Sequence, residues 1–90
     1  MTLREAWFEI AWRIAYGKGI WICNTAQQLP ISPQVHQEIL GRVAVEAKRQ
    51  GIGIFSGESL WNPVKPRSVA GRVVRIRFIA AELRRLAGQA

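Results

Sequence analysis

The chain has 90 residues, of which 49% are hydrophobic and four are tryptophan, so the composition suits one domain with a core and excludes a disordered chain. Its formal net charge is +7, and no apolar run is long enough to cross a membrane. A single cysteine cannot form an internal disulfide, which fits a reducing compartment. We therefore expect residues 1–90 to form one soluble, cytoplasmic domain.

The first predicted helix opens with a capping box made by Thr2 and Glu5 and runs to about Tyr16, before Gly17. One narrow apolar stripe contains Leu3, Trp7, Ile10 and Ile14. The opposite side carries Phe8, Trp12 and Tyr16. One of these faces must pack on the core. The aromatic side is then either buried, within the fold or in a homodimer, or it is a partner-binding surface.

The middle of the chain predicts two further helices. Residues 20–23 fit either a short strand or a helix, and the spacing of Ile22, Ala26 and Leu29 favours a helix. Ser32 is a good N-cap with Pro33 at the first helical position, and the helix should run to about Gln50. The inward positions of this helix are Val35, Ile39, Val43 and Ala47.

Residues 51–66 break the helical pattern. Two short strand-like runs around the turn at Ser56-Gly57 predict a β-hairpin. The last helix should begin near Ser68 and end near Ala87, with a core stripe of Val69, Val73, Ile76, Ile79, Leu83 and Leu86. The predicted fold is therefore mainly α: about four helices with a short hairpin, of which a winged-helix arrangement is one form.

The side chains available for catalysis are few. The chain has no aspartate, one histidine and six glutamates, with no close pair that suggests an acid–base dyad. A nucleophilic pair of Cys23 and His36 would lack an obvious orienting residue, and Cys23 is better read as a small buried hydrophobe. We expect no catalytic residues, no metal site, no cofactor and no enzymatic activity.

Residues 26–40 resemble a helix-turn-helix, with Ile31 in the turn, Ser32 as the cap and Leu40 as an anchor of the second helix. The hairpin after Gly51 would take the place of the wing. In such domains the start of the second helix enters the major groove, so the resemblance implies that Gln34, His36 and Gln37 face the bases. The chain departs from the pattern because Pro30 replaces the usual turn glycine and because the first two turns of this helix carry no Lys or Arg.

The last helix carries the second candidate site. From Lys65 onward there are seven basic residues and one acid, a net charge of +6. Val74 and Phe78 lie opposite the predicted core stripe, among arginines. This arrangement suits a nucleic-acid surface or a protein hot spot, unless the helix is buried on both sides. The candidate nucleic-acid contacts here are Arg67, Arg72, Arg75, Arg77, Arg84 and Arg85.

Taken as a whole, the chain resembles small proteins of unknown role encoded by tailed bacteriophages. The residues that carry this resemblance are Gly19, Ile22, Cys23, Leu29, Ile31, Ser32, Leu60, Trp61, Pro63, Arg75, Phe78 and Ile79. The resemblance implies a binding role inside a bacterial host cell, where phage proteins of this size act as transcription regulators or as inhibitors of host defence, anti-CRISPR proteins among them.

Two functions follow as hypotheses. The first is a nucleic-acid-binding module or small regulator that uses the arginine-rich last helix. The alternative is an inhibitor of a host nucleoprotein or defence complex that acts on an acidic protein surface, with Phe8, Trp12, Tyr16, Val74 and Phe78 as anchors.

Overall fold

The computed structural model describes residues 1–17, 22–50 and 69–89, apart from the side chains of residues 47, 50, 69–72 and 74. This part of the chain is helical, as predicted. The helices are α1 (Leu3–Ala15), α2 (Ile22–Gln27), α3 (Pro33–Gln50) and α4 (Val69–Ala87). The predicted β-hairpin lies outside the described residues, and none of these helices is long and apolar enough to span a membrane.

The start and the end of α1 follow directly from its sequence. The Thr2 hydroxyl accepts from the Glu5 backbone N–H at 3.1 Å, and the Glu5 carboxylate accepts from the Thr2 N–H at 2.9 Å, which confirms the capping box. After Tyr16, Gly17 adopts a φ of 74°, a left-handed conformation that glycine adopts without steric cost. The helix therefore stops where the sequence predicts, because a glycine is available to turn the chain.

The pair α2 and α3 is joined by a short turn. Ile22 and Cys23 are helical, which resolves that part of the ambiguous segment, whereas residues 20 and 21 lie outside the described residues. At the start of α3, the Ser32 hydroxyl accepts from the Val35 N–H at 3.2 Å, and Pro33 occupies the first helical position. The helix bounds predicted for α3 are confirmed.

The core lies where α1 crosses α4, with α2 and α3 packed beside it. Trp7 is fully buried, and its ring meets Phe78 edge to face with centroids 5.9 Å apart. The apolar side chains buried around this pair are Ala6, Ile10, Ile14, Ile22, Ala26, Leu29, Ile39, Val43 and Ile79. The predicted inward stripe of α1 is thereby confirmed at Trp7, Ile10 and Ile14.

The buried face of α4 differs from the prediction. Val73, expected in the core, is 41% exposed, whereas Phe78, expected on the surface, is only 9% exposed. Among the described side chains of α4, the buried ones are Arg75, Phe78, Ile79 and Glu82. Ile76, Leu83 and Leu86 of the predicted stripe also pack against the core, so the inward face is wider than predicted and extends to Phe78. The predicted stripe is therefore confirmed at Ile76, Ile79, Leu83 and Leu86 and is wrong at Val73. The burial of Phe78 was missed because the buried positions on either side of it, Arg75 and Glu82, are charged.

Candidate interaction surfaces

Three aromatic side chains of α1 form an exposed row, here called the aromatic ridge: Phe8, Trp12 and Tyr16. They are 54%, 47% and 68% exposed. Their spacing of four residues places them one above the other on the side of α1 that faces away from Trp7, over a length of about 12 Å at 1.5 Å per residue. The Trp12 and Tyr16 rings lie against each other with centroids 4.9 Å apart. The second apolar face predicted for α1 is therefore present, and the part of the chain that the structure describes leaves it exposed.

The charges beside the aromatic ridge balance. The guanidinium of Arg4 lies 5.8 Å from the centre of the Phe8 ring, within range of a cation–π contact. Glu9 pairs with Arg13 at 3.0 Å, one turn apart. With Glu5, α1 carries two positive and two negative side chains. Within α1, the aromatic ridge is thus flanked by equal numbers of positive and negative side chains, on a protein whose net charge is +7.

The arginines of α4 do not act as one group. Arg75 is only 1% exposed, so its side chain belongs to the interior and cannot lie on a phosphate at the surface. Arg85 donates to the Glu82 carboxylate at 2.9 Å. Arg77 and Arg84 are exposed. The side chains of Arg67, Arg72 and Val74, which the sequence also placed in this site, lie outside the described residues. The continuous arginine surface with Phe78 at its centre is therefore not what the structure shows.

Glu82 joins two helices, a feature that sequence periodicity did not predict. Its carboxylate is almost fully buried and accepts from Arg42 of α3, with Nε at 3.1 Å and Nη2 at 3.1 Å, as well as from Arg85. The hydrogen bond from Arg42 to Glu82 raises the pKa of Arg42 further above its ordinary value. Arg42 thus ties α3 to α4, whereas Arg85 pairs with Glu82 within α4.

The start of α3 offers polar side chains but little positive charge. Gln34 and Gln37 are exposed, as a base-reading helix would require, and they line an open groove with Glu38, Gly41 and Val45. His36 is half-buried, and its Nε2 is buried without a hydrogen-bond partner among the described residues, so this nitrogen does not face solvent. The Glu38 carboxylate shares the exposed face and would repel a phosphate backbone.

The described residues give little support to covalent or metal chemistry. Burial raises the pKa of the Cys23 thiol, so at neutral pH it is a protonated thiol rather than a nucleophilic thiolate. Within residues 1–17, 22–50 and 69–89, no three His, Cys, Asp or Glu side chains are grouped as a metal site.

Comparison with known protein families, with curated proteins and with solved structures finds no match for this chain. The resemblances to bacteriophage proteins and to winged helix-turn-helix domains therefore stay predictions from the sequence.

Proposed function

We propose that this chain is a non-enzymatic protein-binding module, an adaptor or inhibitor that holds its partner through the aromatic ridge. The observation that carries the proposal is the exposure of Phe8, Trp12 and Tyr16 in one continuous row. A folded protein that keeps three large aromatic rings in water on one helix face usually does so because that face is covered in a complex.

The energetics favour the aromatic ridge as the source of affinity. Tryptophan and tyrosine are enriched among the few interface residues that dominate binding, and each costs about 2 kcal/mol or more when truncated at such a site. A row of aromatic anchors on one helix suits a partner with an apolar groove, in which the helix would lie along its exposed face. The ring contact between Trp12 and Tyr16 already orders part of this surface before binding.

The net charge of +7 adds selectivity for the partner. Exposed cations such as Arg77 and Arg84 lie outside the aromatic ridge, and at long range they attract an acidic protein and repel a basic one. The proposed partner is therefore a protein that has an apolar groove and an acidic surface outside that groove. The bacteriophage resemblance would make it a host protein of a nucleoprotein or defence complex.

Affinity capture from a nuclease-treated bacterial lysate tests this proposal. The immobilised wild-type chain should enrich a defined protein, and the Phe8→Ala/Trp12→Ala variant should lose it. Val45→Ala is the matched control, because Val45 is an equally exposed apolar residue on α3. Equal capture by the ridge variant and the control, or capture that disappears on nuclease treatment, would overturn the proposal.

Nucleic-acid binding is the second candidate, favoured by the exposed Arg77 and Arg84 and by the net positive charge. Binding through these arginines would weaken with rising salt, with a logarithmic slope of about 0.9 per duplex phosphate contacted. In a titration of labelled duplex and single-stranded oligonucleotides, Arg77→Ala/Arg84→Ala should lower that slope by about two. No binding at about 50 mM salt, where such contacts are strongest, would exclude this candidate.

A further inference from the structure

We infer that the aromatic ridge of one copy also binds the aromatic ridge of a second copy, so that the protein without its partner is a weak homodimer with this surface covered. The inference rests on the proposed function, because it concerns the same surface and adds a form of regulation. A partner would have to displace the second copy before it could bind.

The first argument is the charge around the aromatic ridge. A twofold dimer sets the same patch against itself, so a patch of one sign would repel its own copy. The side chains beside the aromatic ridge are Arg4, Glu5, Glu9 and Arg13, two of each sign. Outside α1, Arg77 and Arg84 of α4 are exposed cations. The aromatic ridge is therefore a place where two copies can meet without opposing like charges across the contact.

The second argument is the geometry of the row. Because the three rings are evenly spaced along one helix, an antiparallel pairing about a twofold axis at Trp12 would set Phe8 of each copy against Tyr16 of the other. Each ring would then meet a ring, an arrangement that adds about 0.5–1.5 kcal/mol per pair beyond the area buried.

The exposed area of the three aromatic side chains indicates how stable the dimer should be. With about 150–250 Å² buried per aromatic side chain when it is fully covered, the exposed fractions leave roughly 350 Å² on each copy, or about 700 Å² for the pair. A stable interface needs about 1,200 Å² or more. The dimer should therefore be weak and reversible.

Sedimentation equilibrium of the full chain, from about 10 µM to about 1 mM, tests the inference. The average mass should rise from that of one copy towards that of two. Raising the salt from about 50 to about 500 mM should strengthen the dimer, because screening weakens the repulsion between two chains of charge +7. Binding to an acidic partner should weaken over the same salt range, so the two associations respond with opposite signs.

Two variants test whether the dimer forms through the aromatic ridge. Trp12→Ala should raise the dimer Kd by at least about tenfold, whereas Val45→Ala should leave it unchanged. Because both side chains are exposed, circular dichroism should show both variants folded. A wild-type chain that stays monomeric throughout, or a dimer that Trp12→Ala does not weaken, would overturn the inference.

The failure of the dimer can be distinguished from the failure of the proposed function. A monomer whose capture still depends on Trp12 refutes only the dimer, whereas a Trp12-dependent dimer with unchanged capture refutes only the partner site.

Discussion

At the scale of single residues, Glu82 explains why two arginines, Arg42 and Arg85, are engaged within the protein. An ionised carboxylate buried without a partner is very costly, so its burial depends on the two guanidinium groups that donate to it. Arg42 reaches it from α3 and Arg85 from the next turn of α4. These two arginines therefore stabilise the fold by pairing with Glu82, and they should not be counted among the cations available to a partner.

Removing this carboxylate should destabilise the protein. Glu82→Ala leaves both arginines without their shared acceptor, but both are about a third exposed and can turn towards water. We therefore expect a loss of about 1–3 kcal/mol in the free energy of unfolding, less than the 3–5 kcal/mol typical of a fully buried pair. Urea unfolding of the variant measures it. Glu38→Ala, which removes an exposed glutamate from α3, is the control and should change stability by less than about 0.5 kcal/mol. Equal stability of Glu82→Ala and wild type would show that the network contributes nothing.

At the scale of the helices, their ends were predictable from local chemistry, whereas the buried face of α4 was predictable only in part. Thr2, Ser32, Pro33 and Gly17 act on the backbone within one turn, so their effect can be read without the rest of the fold. Which face of a helix is buried depends on whether the neighbouring helices supply hydrogen-bond partners for its polar side chains. Glu82 faces inward because Arg42, forty positions away in the sequence, meets it there.

For α1 the sequence left the choice between two apolar faces open. Both sides of the helix carry large side chains. Helical periodicity therefore placed Phe8, Trp12 and Tyr16 on one side of α1, but it did not show whether that side is buried. Packing against α4 decides it, because Trp7 fills the space beside Phe78 and leaves the opposite face in water. The residues of the candidate site were thus predictable, but their exposure was not, since exposure depends on the whole fold.

The capping box of α1 gives a test by pH. The Thr2 backbone N–H donates to the Glu5 carboxylate and lowers the pKa of Glu5 below its ordinary value of 4.5. A carboxylate with a lowered pKa adds stability above its unfolded-state pKa and loses it as the pH falls through the folded-state pKa. Between about pH 6 and pH 3, the urea midpoint of wild type should therefore fall further than that of Glu5→Gln, whose neutral amide still accepts the Thr2 N–H. Parallel declines would mean that this carboxylate does not contribute.

At the scale of the whole molecule, the described arginines of the last helix do not form one surface, although they are close together in the sequence. The last part of the sequence carries most of the net charge, yet Arg75 is interior and Arg85 is engaged by Glu82. Arg77 and Arg84 are exposed and provide a general positive field. The apolar contact surface lies on α1, at the other end of the sequence. In the proposed function, exposed cations attract the partner and the aromatic ridge holds it.

The most direct test of this division is the affinity of the purified chain for the captured partner, measured by calorimetry for wild type, Trp12→Ala and Val45→Ala. A central aromatic anchor is worth about 2 kcal/mol or more, so Trp12→Ala should weaken binding by about 30-fold or more. Val45→Ala should change it by less than about threefold. Equal affinities of the three proteins would contradict the claim that the aromatic ridge holds the partner.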